Sequence, residues 1–196
     1  STNNQTAKTL ATKMLGEKLE DLTTEYSHIK NDISFFAKKI SCSFNDPFLT
    51  DLKKISFEVK SGEIFGIAGV AGNGQSELMD ILVGENTLID EGELVFNNIN
   101  IENLNPQKRR DLSIAFVPEN RLGHSAVPEL TLNENILLSQ FPNNKFSKNG
   151  ILNHNLIEKN AIKVIDNFNV VTPGSDAKAS SLSGGNLQKF VIGREI

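Results

Sequence analysis

The stretch Ile64-Phe65-Gly66-Ile67-Ala68-Gly69-Val70-Ala71-Gly72-Asn73-Gly74-Gln75-Ser76-Glu77-Leu78 constrains this chain more than any other. Consecutive apolar residues over Ile64 to Ala68 predict a central strand covered on both faces. The strand leads into a glycine-rich turn, and the turn opens a helix. That helix runs from Gln75 to Val83, carries Leu78, Ile81 and Leu82 at helical spacing, and closes at Gly84. This is the layout of a phosphate cradle. Glycines let successive backbone N–H groups point inward and let a ligand approach the main chain. The helix start adds unpaired N–H groups and the positive end of its dipole.

The phosphate-loop pattern is G-x-x-x-x-G-K-[ST]. Gly69, Gly74 and Ser76 fit it, while Gln75 stands where the lysine belongs. A carboxamide can donate a hydrogen bond to a phosphate, but it brings no charge to steady the β- and γ-phosphates. Two readings stay open on this stretch alone: a cradle without its charged tip, or an ordinary strand-to-helix turn.

Around this centre the pattern is that of an α/β domain. Ile33 to Phe44 reads as a first strand and Asn45-Asp46-Pro47 as a turn. Lys54 to Val59 alternates Ile55, Phe57 and Val59 with polar residues, the mark of a half-exposed antiparallel strand. Glu93 to Phe96 is a further strand, with a hairpin turn at Asn97-Asn98. Asn105-Pro106 starts a short helix. Ser113 to Val117 reads as a second buried strand, stopped by Pro118. Thr131 with Glu134 forms a capping box for a helix through Leu138. Asn143 to Gly150 is polar and expected to be mobile, and a longer helix runs from Asn155 to Phe168. Toward the N-terminus, Thr6 to Gly16 predicts a short helix and Glu17 to Asp32 a linker. The chain opens on a polar Ser1 without methionine, as a piece of something longer would.

Bulk properties exclude several classes. A net charge of −4 over 196 residues does not favour nucleic acid. The cluster Lys108-Arg109-Arg110 is expected to be a solvated helix start. Cys42 is the single cysteine, so no internal disulfide is available and a buried, inert thiol is expected. No apolar run reaches the ~20 residues of a membrane span.

A second glycine-rich helix start lies at Ser181-Leu182-Ser183-Gly184-Gly185-Asn186-Leu187-Gln188-Lys189, before a helical run to Ile196. Read alone it is an anion-facing helix start or a plain N-cap. Together, Leu182 to Asn186 and Gly69 to Ser76 resemble the signature motif and the Walker A loop of ABC-transporter ATPases. The phrases Gly66 to Leu78 and Val117-Pro118-Glu119-Asn120-Arg121 are similar to the second ATPase domain of tandem ATP-binding proteins that energise simple-sugar and nucleoside importers. The form Asn73-Gly74-Gln75-Ser76 looks more like the nucleoside branch.

The resemblance implies an α/β P-loop NTPase fold of the ABC type: a mixed core sheet, an antiparallel β subdomain and a helical subdomain over 122–180. It spans 33–196, with 1–32 as the tail of a preceding ATPase domain and its linker. It implies ATP and Mg²⁺ as cofactors. Gly69, Val70, Ala71, Gly72, Asn73, Gly74, Gln75, Ser76 and Glu77 would form the phosphate site, with Phe44, or else Phe48, stacking on adenine. Ser76 and Glu119 would reach the metal; Glu119 takes the place of the usual Q-loop glutamine. Ser183, Gly184, Gly185 and Asn186 would face the ATP held by the partner domain, because such ATPases pair head to tail. The partners implied are the first ATPase domain of the same polypeptide, transmembrane permease subunits and, indirectly, a substrate-binding protein, at the cytoplasmic face of the membrane.

Two departures shape the expected mechanism. Gln75 makes the chain's own site degenerate and its nucleotide binding weak. The chain stops at Ile196, before the strand that in the family carries the Mg²⁺-directing Asp and the catalytic Glu, so no residue here is assigned as general base. Rival readings are a soluble ABC ATPase acting on DNA or translation, a GTPase-like switch, and a purely structural module. The first two lack the basic surfaces, coiled coils, lysine or N-K-x-D motif they require.

Overall fold

The structure is a computed structural model and describes residues 29–119, 122–140 and 146–196. The expected Thr6 to Gly16 helix, most of the linker after it, and Asn120 and Arg121 lie outside the described residues.

Four strands form one antiparallel sheet in the order β2-β1-β3-β4: β1 Ile33–Cys42, β2 Leu52–Lys60, β3 Glu91–Phe96 and β4 Ile99–Asn100. The register of β1 shifts near Lys39, whose φ is 53°, opposite Gly92 of β3. A Cβ on Gly92 would sit 2.7 Å from the carbonyl oxygens of Lys38 and Lys39, so the bulge needs a residue without one. Asn97 and Asn98 both take positive φ, the geometry of a tight hairpin turn, as their sequence predicts.

Helix α1, Gln75–Val83, packs on this sheet, and helix α2, Pro106–Asp111, is anchored to it by the flanking Leu104 and Leu112. Leu78 and Ile81 of α1 join Ile40, Leu52, Leu94 and Ile101 in one apolar core. Cys42 lies in it; burial, with Asp90 and Asp51 nearby, pushes its thiol up, as an inert cysteine requires.

A second core belongs to helices α3 (Leu132–Gln140), α4 (His154–Asn167) and α5 (Gly184–Glu195). The capping box forms as predicted, with Glu134 accepting from the Thr131 N–H and hydroxyl. Asn135 is fully buried and satisfies the carbonyls of Val127, Leu130 and Thr131, which pins the preceding loop to α3. Of the polar segment Asn143 to Gly150, residues 143–145 lie outside the described residues; the rest enters a small hairpin, β5 Ser147–Lys148 with β6 Ile151–Leu152, turned by Asn149 and Gly150 at positive φ.

Three sequence expectations are corrected. Ile64 to Ala68 is extended but has no ladder partner among the described residues, and Ile64 is 99% exposed. Phe65 stacks on Phe57 of β2 with ring centroids 5.1 Å apart but is itself still exposed. Ser113 to Val117 is also unpaired: Ile114 and Phe116 face inward, while Ser113, Ala115 and Val117 face out. A run that is apolar on both faces needs neighbours on both sides to become a central strand, and the described strands pair only within the four-stranded antiparallel sheet and the β5–β6 hairpin. The third correction is Arg109, which is not solvated. It is fully buried and donates to the carbonyls of Ile81, Leu82, Ile101, Glu102 and Leu104. Burial pushes its guanidinium down to about 10, so it stays charged at neutral pH and ties the end of α1 to the strand–helix connection. Arg110 lies over the Phe116 ring and pairs with Glu195 of α5, which also accepts from the Ser139 hydroxyl; these contacts join the two cores.

Candidate functional site

The glycine-rich loop forms a tight turn at the start of α1. The Asn73 N–H donates to the Val70 carbonyl at 3.2 Å, and Gly72 and Gly74 take φ of 86° and 94°. Only glycine holds such values without strain. At Gly74 space is also short, since a Cβ there would lie 2.9 Å from the Leu52 side chain. Gly69, Val70, Ala71, Gly72 and Asn73 are exposed, as is the Ser76 hydroxyl at the helix start.

Gln75 does not reach outward. Its side chain folds back over the loop: Nε2 donates to the Val70 carbonyl at 2.9 Å and Oε1 accepts from the Asn73 N–H at 3.1 Å. A Cβ on Gly69 would lie 2.3 Å from Gln75 Nε2, so the space above that glycine is filled by the carboxamide. The loop thus turns on glycines at positive φ, and one of its amides is engaged by its own side chain. The segment leading into it is the unpaired extended run described above, not a buried strand.

Glu77, grouped by sequence with the phosphate-binding residues, turns inward. It is 7% exposed, and its Oε1 accepts from the Thr50 N–H at 2.9 Å. The Thr50 hydroxyl donates to the Gly72 carbonyl at 3.0 Å. The β1–β2 hairpin loop is therefore seated on the phosphate loop. That hairpin carries both aromatic candidates. Phe44 is half-buried against the sheet core, and its N–H donates to Asp51. Phe48 is 92% exposed, its N–H held by Asp46. No motif announces Thr50; a lone threonine in a turn carries no sequence signal, and its role emerges only from the fold.

At the second helix start Ser183 is the N-cap of α5. Its hydroxyl accepts from the Asn186 backbone N–H and from Asn186 Nδ2, the latter at 3.0 Å. Asn186 Oδ1 accepts from the Val171 N–H, so this side chain braces the helix start from within. Ser183, Gly184 and Gly185 remain exposed. Glu119 is exposed as well.

ATP and Mg²⁺ can be tested against these groups. The loop offers exposed glycine backbone and a helix start to a polyphosphate, with Gln75 folded across it. Among the described residues no cluster of three or more acidic, histidine or cysteine side chains could hold a metal. A magnesium ion brought with a nucleotide would take its ligands chiefly from phosphate and water, with the Ser76 hydroxyl in addition. A groove of about 470 Å³ beside the loop is walled by Ile55, Phe57, Phe65 and Leu78 and shares Gly69 and Gln75 with it. Its apolar lining suits packing rather than phosphate.

The family model described as "ABC transporter" matches residues 52–196. The nucleoside import ATP-binding protein NupA of Lactococcus lactis is 36% identical over 98% of this chain and 38% of its own length. The guanosine import ATP-binding protein NupO of Bacillus subtilis is 41% identical over 74% of this chain and 28% of its own. The chain thus spans well under half of these relatives. Among solved structures, the ATP-binding cassette MJ0796, a dimer with ADP and Pi, superposes with a TM-score of 0.66, covering 83% of this chain and 68% of that one at 23% identity. That likeness establishes the fold. Among the described residues no helix is long and apolar enough to cross a membrane.

Proposed function

This chain belongs to the ABC transporter family, and we propose that it is the second ATP-binding lobe of a tandem-ATPase subunit driving import of nucleosides or simple sugars. ATP is the nucleotide its family binds. The import reading rests on the relatives, which include nucleoside, guanosine, glucose and xylose import proteins. Its place in the transporter is peripheral, at the cytoplasmic face, with the first ATPase domain and the permease subunits as direct partners and a substrate-binding protein as an indirect one.

One contrast carries the reading: the two glycine-rich helix starts are in opposite states. The loop at α1 lacks its lysine and has its Asn73 amide engaged by Gln75. The start of α5 presents Ser183, Gly184 and Gly185 to solvent, with the serine oriented by Asn186. In a head-to-tail pair the first would make a weak site and the second would complete the partner's ATP site. Ser76 and Glu119 are the groups assigned to the metal, and Phe44 or Phe48 to the adenine. The activity would then be asymmetric, with turnover at the site that this lobe's signature covers.

Ser183→Ala in the full-length protein tests this. ATP turnover should fall while binding of nucleotide to this lobe's own loop stays unchanged. Unaltered turnover would contradict the cross-domain role of the α5 start.

A further inference from the structure

We propose that Thr50 and Glu77 form a strut that sets the distance between the base-contacting hairpin and the phosphate loop, making both of them positioning residues for nucleotide. The proposal rests on the nucleotide reading above and concerns how the chain discriminates a nucleoside triphosphate from a bare polyphosphate.

The hairpin loop between β1 and β2 reaches the phosphate loop through Thr50, and it does so twice. The backbone N–H of Thr50 donates to buried Glu77, one residue after Ser76 on α1. Its hydroxyl donates to the carbonyl of Gly72 at the apex of the phosphate loop. The methyl of Thr50 also lies 3.6 Å from where a Gly74 Cβ would be, so contact is close on both sides of the turn. On the hairpin, Thr50 is followed by Asp51, whose carboxylate accepts from the Phe44 N–H. The Ser43 N–H beside Phe44 donates to Asp90 at the start of the β3 connection. Phe48, the exposed aromatic, is held by the Asp46 turn within the same loop.

The consequence is mechanical. Phosphate contacts come from the loop at α1, and stacking contacts come from a hairpin that is covalently remote from it. Their relative position is fixed where Glu77 and Gly72 grip Thr50. A carboxylate acceptor buried at a helix start forms a stronger bond than a neutral group would, which suits a part whose role is spacing. Glu77 therefore acts through Thr50 and not on phosphate.

Binding of Mg·ATP and of Mg·tripolyphosphate to the full chain, by calorimetric titration, tests the strut. Glu77→Ala and Thr50→Val should each weaken Mg·ATP by about tenfold while leaving Mg·tripolyphosphate within about twofold. Glu77→Gln and Thr50→Ser, which keep an acceptor and a hydroxyl, should restore most of the preference for ATP. Circular dichroism checks that each variant is folded. Thr50→Val, which keeps the backbone N–H and the β-branched shape, stands in should Glu77→Ala fail to fold. Equal loss of both ligands in the folded variants, or no loss of either, would overturn the strut and leave the nucleotide reading standing. Binding of neither ligand by the unmodified chain would overturn the assignment of the α1 loop as a nucleotide site, and the strut with it, while leaving the role of the α5 start to the Ser183→Ala test.

Discussion

Gln75→Lys should turn this loop from a weak phosphate site into a strong one, and the size of the gain follows from the bonds that Gln75 makes. Its carboxamide donates to the Val70 carbonyl and accepts from the Asn73 N–H. A phosphate entering the cradle must break both. At a solvent-accessible turn each is worth ~0.5–1 kcal/mol, so self-occupation costs the ligand ~1–2 kcal/mol, about 5- to 30-fold in affinity. A lysine can still donate to the Val70 carbonyl but cannot accept from Asn73, so roughly half of that penalty disappears. Its charge-assisted bond to phosphate adds ~1.5–3 kcal/mol. Together the expected gain is ~2–4 kcal/mol, or about 30- to 1,000-fold. Calorimetric titration of Mg·ATP at low and high salt reads it directly, and the gain should shrink as salt screens the new charge. Gln75→Met separates the two parts, since it removes both carboxamide bonds without adding charge, leaves the Asn73 N–H on the Val70 carbonyl, and should deliver at most about 5- to 30-fold. A gain below about threefold for the lysine variant would refute the cradle reading. Tight binding by the unmodified chain would refute the claim that Gln75 weakens it.

Arg109→Met should destabilise the chain by roughly 3 kcal/mol or more, because it strands buried carbonyls of α1 and of the β4–α2 connection; a shift of the urea midpoint worth less than about 1 kcal/mol would contradict that role. Ile64→Asp should change stability by no more than about 0.5 kcal/mol, whereas Ile81→Ala in the sheet core should cost ~2–5 kcal/mol; equal costs would mean that Ile64 is covered. The Glu134 carboxylate is held below its ordinary range by the Thr131 N–H and hydroxyl. The unfolded chain therefore binds its proton more readily than the folded one. The stability it contributes is complete above the ordinary carboxylate pKa and is lost as pH falls through the lowered value. Glu134→Gln should flatten that part of an acid unfolding profile, and an unchanged profile would exclude the capping carboxylate as its source.

Much of the fold was legible in local pattern. Strand β2 announces itself through alternation, α1 through its spacing and Gly84, and α3 through its capping box. The two glycine-rich helix starts were legible as candidate sites, because glycine at set intervals before a helix exposes backbone amides. The extended runs 64–68 and 113–117 were read as buried strands for a sound local reason, but a strand's burial is a property of its neighbours. Arg109 misled for the complementary reason. A basic cluster at a helix start is ordinarily solvated, and nothing local says that the carbonyl ends of α1 will close around one member.

Sequence alone determined which described segments become helices, the hairpin turn at Asn97-Asn98, where glycine is obligatory and which residue is missing from the phosphate loop, because backbone sterics and side-chain chemistry act over a few residues. Only the tertiary structure decided that Gln75 turns back onto its own loop, that Glu77 grips Thr50, and that Arg109 and Glu195 sit inside. Each of these depends on hydrogen-bond partners brought together from distant parts of the chain, and a buried polar group is defined by the partner that satisfies it.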